Sequence, residues 1–127
     1  MKSRVKKDFY AELGQTIRLG RKRAGKSQEE AASFLGISFQ QLQKYENGTN
    51  RIPMDRLLSL SKYLGIPHSE ILGTGKMSSE QKNLRESLDS LSNREFQDFF
   101  EAWTQIKNRE IRWKTLELIK SIAAFNS

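Results

Sequence analysis

A chain of 127 residues and 14.7 kDa has room for one small domain with an appendage, and its 36% hydrophobic and 29% charged content excludes global disorder. The absence of cysteine, with a single histidine, excludes disulfides, thiolate nucleophiles, Cys/His zinc sites and iron–sulfur clusters. The net charge of +7 is uneven, with 13 basic and 7 acidic groups in residues 1–75 against 9 and 8 in residues 76–127, so the first part carries the field of a polyanion binder or a solvated basic face.

Residues 8–24 place Phe9, Leu13, Ile17 and Ala24 near one helical face, and Gly25 suits the stop. Gly14 and Gly20 weaken that helix without breaking it. Ser27-Gln28-Glu29-Glu30 is a capping box: the Ser27 hydroxyl can accept the N3 amide proton while Glu30 reaches back. It opens a short helix through Leu35, closed by Gly36. A second box, Ser38-Phe39-Gln40-Gln41, starts a third helix running to about Glu46, and Asn47-Gly48 ends it. Pro53 stands where first-turn prolines stand, ahead of a fourth helix with Leu57, Leu60, Ser61 and Leu64 inward. A brief fifth helix fits PHSEIL, and Gly73-Thr74-Gly75 reads as a hinge.

The remainder is helical too. Residues 79–91 carry Leu84, Leu88 and Leu91 on a narrow stripe. Ser92 opens another capping box, and the helix after it carries Phe96, Phe99, Phe100, Trp103 and Ile106 at helical spacing. Residues 109–124 form the last helix, with Ile111, Leu118, Ile119 and Ile122 on one side, broadened by Leu116 and Ala123. No alternating apolar stretch is long enough for a strand. The expected class is all-α, with one domain over 1–75 and a helical extension over 76–127.

The informative unit is the helix pair at about 28–35 and 39–46, joined by Gly36-Ile37-Ser38. Two helices separated by a three- or four-residue turn with glycine have helix-turn-helix geometry. Ala31 and Ala32 are small where the second helix must come close, and Leu35, Ile37 and Leu42 supply the wedge between the helices.

The residues also resemble a known family. Arg21 and Gly25 before Ser27-Gln28, then Leu35-Gly36-Ile37-Ser38, Tyr45-Glu46-Asn47-Gly48 and Leu64-Gly65-Ile66-Pro67 are similar to the XRE/Cro/lambda-repressor helix-turn-helix DNA-binding domains. The resemblance covers about residues 11–73. FQQLQKYENGTNRI, followed by FQDFFEAWTQI and a basic-apolar helix, further resembles a subgroup of short regulators frequent in alphaproteobacteria.

That resemblance implies a five-helix lambda-repressor-like domain whose third helix lies in the major groove of double-stranded DNA, in a dimer on a near-palindromic operator. Carried over, it turns Ser38, Phe39, Gln40, Gln43 and Lys44 toward the bases and Leu42 inward. The chemistry agrees: glutamine pairs bidentately with adenine, lysine donates to guanine, and a phenyl ring meets a thymine methyl. The glutamines could also be an ordinary solvated face, and Phe39 could pack on its neighbours. Gln28 and Lys26 are expected near a phosphate, with Asn47, Thr49, Asn50 and Arg51 following along the backbone. An Asn-Gly turn alone would explain part of that loop. Lys26 departs from the family pattern, where an apolar residue often packs; its stem could lie along apolar surface with its head on a phosphate or in water. Arg21 and Glu46 occupy positions that pair as a buried ion pair in parts of the family. Arg18, Lys22, Arg23, Lys2, Arg4, Lys6 and Lys7 are non-specific electrostatic candidates.

The aromatic, nearly neutral second half does not look like a DNA reader. Phe96, Phe99, Phe100, Trp103, Trp113, Leu118 and Ile122 have three possible destinations: intramolecular core, a homodimer interface, or a partner protein. Dimerisation has the stronger argument, because two-fold operators call for two-fold proteins; contact through helix five, near Ile71 and Leu72, is the other geometry. A sequence-specific regulator, acting as a repressor, is the favoured reading. The competing one is an interaction component, such as an antitoxin or assembly adaptor. An enzyme is not expected: His68 beside Pro67 reads as a solvated helix start, the acidic residues lack partners at useful spacing, and no phosphate loop appears. No cofactor or metal is expected. No apolar run approaches the roughly 20 residues needed to cross a bilayer, and no apolar segment follows the basic MKSRVKKDFY start, so a cytoplasmic location without membrane contact is expected.

Overall fold

In the computed structural model, residues 2–73, 82–108, 110–115 and 117–118 are described, and every regular element among them is helical. The helices are α1 (Lys2–Arg23), α2 (Gln28–Leu35), α3 (Phe39–Asn47), α4 (Met54–Leu64), α5 (His68–Ile71), α6 (Lys82–Asp89) and α7 (Asn93–Trp103). Residues 110–115 and 117–118 are helical as well. Thr74 and Gly75 of the expected hinge, and Leu116, Ile119, Ile122 and Ala123 of the last helix, lie outside the described residues.

Two compact units emerge, Met1–Pro67 and His68–Ser127. The division falls ahead of α5 rather than after Gly75. The reason lies in α5 itself, which packs on α6. The Ser69 amide donates to Asp89 Oδ1 at 2.8 Å and its hydroxyl meets Oδ2 at 3.2 Å.

In the first unit α1 starts at Lys2 instead of Asp8, since nothing between them is Gly or Pro. Its buried stripe is Phe9, Tyr10, Leu13, Ile17 and Arg21, while Ala24, just past the helix end, is exposed. α1 packs on α3 and α4, and α2 packs on the same pair. Leu42, Tyr45, Ile52, Leu57, Leu60, Leu64 and Ile66 complete the core, with Ala31 and Ala32 buried under α2 as their size requires.

The glycines expected only to weaken α1 allow it to approach its neighbours. A Cβ on Gly14 would overlap the Glu46 carbonyl oxygen and stand 2.6 Å from that of Tyr45. One on Gly20 would meet Ile66, 2.5 Å from its Cγ1. α1 and α3 therefore touch backbone to backbone, which leaves α3 little freedom to shift.

In the second unit the buried set among the described residues is Ser69, Ile71, Leu72, Leu84, Leu88, Phe96, Phe100, Trp103 and Thr104. The Ser92 capping box is present in both directions, at 2.9 and 3.1 Å. The Trp103 indole N–H donates to the Leu72 carbonyl at 3.1 Å, so the one polar atom of a buried indole is satisfied. His68 stacks on Phe96 with ring centroids 4.0 Å apart. It is half-buried and not the solvated helix start expected from its neighbours in sequence.

Candidate nucleic-acid interface

The helix-turn-helix is α2, Gly36-Ile37-Ser38 and α3. Ser27 accepts the Glu30 amide at 3.0 Å while the Glu30 carboxylate accepts the Ser27 amide at 3.1 Å. The Ser27 amide first, and the Ser27 hydroxyl after it, hold the Glu30 carboxyl below the usual carboxylate range. Gly36 closes α2 at φ +69°, in the left-handed region, and the Ile37 amide returns to the Ala32 carbonyl at 3.0 Å. The chain then turns sharply enough for the Ser38 hydroxyl to cap α3 by accepting the Gln41 amide at 3.1 Å. These bonds fix where α3 begins and which way it points.

Its far end is fixed by charge. Arg21 of α1 donates from Nε to Glu46 Oε2 at 2.7 Å and from Nη2 to Oε1 at 3.2 Å, while Nη1 reaches the Lys26 carbonyl at 2.9 Å. The side chains are 9% and 1% exposed. Gln28, at the start of α2, donates from Nε2 to Glu46 Oε1 at 2.9 Å. Three helices thus converge on one buried carboxylate.

On the outer surface of α3, Ser38, Phe39, Gln40 and Lys44 are exposed and Gln43 is half-buried, while Leu42, Tyr45 and Glu46 are buried. Phe39 stands 36% exposed at the head of the helix, where it borders an open groove shared with Arg18, Arg21, Ser27, Gln28 and Glu29. The Ser38 oxygen is engaged as the cap, leaving its hydroxyl proton as the atom it can offer outward.

Asn47, the last residue of α3, and Thr49, Asn50 and Arg51 of the loop after it are all exposed. The Thr49 and Asn50 amides both return to the Lys44 carbonyl, at 3.0 and 3.2 Å, so the loop starts as a tight turn. The Arg51 guanidinium sits over the Tyr10 ring at 5.0 Å. Lys26 rests its ammonium 5.5 Å from the Tyr63 ring centre, with the residue half-buried. A residue missed at the sequence level is Arg56, whose Nη1 donates to the Tyr45 hydroxyl at 2.6 Å and ties α4 to α3. Its place in the first turn after Pro53 was the available signal.

The aromatic residues of the second unit divide. Phe96, Phe100 and Trp103 are buried within the chain itself, at 0, 5 and 3% exposure. Phe99 is half-buried and stacks on Trp103 at 5.6 Å. What a second chain could meet is Ile111, Trp113 and Leu118, which are 53, 39 and 60% exposed.

A helix-turn-helix family model matches residues 17–71. An uncharacterized HTH-type transcriptional regulator of Sinorhizobium medicae (strain WSM419) is 38% identical over 120 residues, covering 88% of this chain and 86% of the relative. This chain belongs to the family of helix-turn-helix transcriptional regulators. Another such regulator, from Sinorhizobium fredii (strain NBRC 101917 / NGR234), is 30% identical over 90% of this chain and 86% of its own length. An uncharacterized transcriptional regulator in the ATPase CF(0) region of Rhodospirillum rubrum is 46% identical over 57 residues, 45% of this chain. No solved structure matches. The regulator is a DNA-binding protein. None of its described helices is long and apolar enough to cross a membrane.

Proposed function

We propose that the protein is a cytoplasmic repressor that binds a near-palindromic operator as a homodimer, with α3 in the major groove. The observation that carries this reading is the rigid presentation of α3. Its inner face is locked by the Arg21–Glu46 pair and its outer face leaves Phe39, Gln40 and Lys44 exposed. Ser38, Phe39, Gln40, Gln43 and Lys44 read base edges, and Lys26, Asn47, Thr49, Asn50 and Arg51 follow the sugar–phosphate backbone. The excess charge of the first part of the chain draws it to DNA and makes binding steeply salt-dependent.

The second unit supplies the two-fold contact. Phe96, Phe100 and Trp103 are spent on its own core, so pairing rests on the exposed Ile111, Trp113 and Leu118, with Phe99 at the margin. Selection of bound sequences from a random duplex library, with light scattering on the same sample, tests both parts. A palindromic site with half-site centres about 34 Å apart and a dimeric mass are expected. A monomeric mass with no enriched sequence would overturn the reading and favour a partner-protein module that uses the same exposed apolar residues.

A further inference from the structure

Gln28 opens α2, where a side chain is well placed to meet a phosphate, and the family resemblance suggests that role. Its hydrogen bonding suggests another. The carboxamide Nε2 donates to Glu46 Oε1 at 2.9 Å, on the same carboxylate oxygen that Arg21 Nη2 approaches at 3.2 Å. Glu46 is 3% exposed and sits on the last turn of α3, one residue before the loop expected along the DNA backbone. The ion pair alone joins α1 to α3; only Gln28 brings the start of α2 onto the same carboxylate.

We propose that Gln28 is a positioning residue, which locks the end of the recognition helix to the start of α2 through Glu46 and so sharpens base discrimination. The inference rests on the operator-reading function proposed above. Two helices that meet DNA at different places need a fixed spacing to engage it together. The turn at Gly36 to Ser38 sets one end of that spacing, and the Gln28 to Glu46 bond sets the other. A hydrogen bond to a buried carboxylate is among the stronger kinds. Losing it leaves α3 folded and held to α1, because Arg21 remains paired and Gly14 still meets the backbone of Tyr45 and Glu46, but frees the start of α2 to move against that fixed end. The cost falls on the geometry of base contacts.

A phosphate anchor and a positioning residue leave different signatures. Removing a phosphate contact weakens binding to all sequences about equally and lowers the salt slope by about one. Removing a positioning residue weakens the selected sequence alone. The experiment compares wild type with Gln28→Met, which keeps the length and loses the amide, on the library-selected duplex and on a random duplex of equal length across a salt series. The expected result is a loss of about tenfold in the ratio of the two affinities, with an unchanged slope. An equal loss on both duplexes with a smaller slope would overturn the inference. Lack of any preference in wild type would instead overturn the operator-reading function itself.

A second measurement avoids the variant. In the wild-type protein titrated with the random duplex, the Gln28 side-chain amide signal should hold its position while backbone amides in the first turn of α2 shift. Movement of that side-chain signal in step with the backbone amides would assign Gln28 to the phosphate and overturn the proposal.

Discussion

The guanidinium of Arg21 and the carboxylate of Glu46 meet at 2.7 Å with almost no water around either side chain. Such a pair costs a great deal to desolvate and returns that cost only while both partners are present. Glu46→Ala should therefore lower unfolding free energy by about 3–5 kcal/mol, because Arg21 would stay buried without its carboxylate. Replacing both with apolar residues of similar size should cost much less than the sum of the single changes. Urea denaturation of the three variants measures this, and additive losses would show that the two groups act independently.

Gly14 and Gly20 separate two kinds of close contact. Alanine is the better helix former by about 1 kcal/mol, so an open site would gain from the change. At Gly14 the new methyl meets the backbone carbonyls of Tyr45 and Glu46, which cannot move without shifting α3. At Gly20 it meets the Ile66 side chain, which can change rotamer. Gly14→Ala should destabilise by about 1–3 kcal/mol and Gly20→Ala by less. Thermal melts of the two variants decide the order, and equal stabilities would contradict the backbone contact.

Much of this architecture was legible in the sequence because its signals are local. Ser27 and Ser92 stand three residues before a glutamate, and both reciprocal caps form. Gly25, Gly36, Gly48, Gly65 and Gly73 all take positive φ, close to helix ends. Leu57, Leu60, Ser61 and Leu64 bury as their spacing requires. What stayed hidden depends on partners distant in the chain. Periodicity cannot tell a glycine that weakens a helix from one that admits another helix, as Gly14 does. His68 reads as a solvated helix start beside Pro67, but Phe96 stacks on it. The spacing of Phe96, Phe100 and Trp103 marks an apolar face without saying whether the same chain fills it. The hydrogen bond from Gln28 spans 18 residues and has no signature in either segment alone.

Base reading by α3 predicts selective losses. Gln40→Ala and Lys44→Ala should each reduce discrimination by about 1–3 kcal/mol while leaving binding to random DNA nearly intact. Arg51→Ala should weaken both DNAs and lower the salt slope by about one, since its guanidinium lies in the exposed loop after α3. Binding isotherms on the two duplexes at several salt concentrations test all three. Equal losses on both DNAs for Gln40→Ala would remove it from the base-reading set.

The one histidine gives the protein a readable pH response. His68 stacks on Phe96, and its Nδ1 is buried with no hydrogen-bond partner among the described residues. Burial holds its pKa below the usual histidine value, against the opposing pull of the Asp89 carboxylate and the Leu88 carbonyl. The folded state therefore binds this proton less readily than the unfolded chain does. Above the unfolded pKa of about 6.5 neither state is protonated and nothing is lost. As pH falls below that value the unfolded state takes up the proton first, and stability declines until the folded pKa is passed. Glu30 and Glu95, both held below the ordinary carboxylate range by their capping serines, add a separate loss only at lower pH. Melting temperature should thus drop between pH 7 and pH 5.5 in wild type and stay nearly level in His68→Phe. A slope that persists unchanged in the variant would assign the response to some other group.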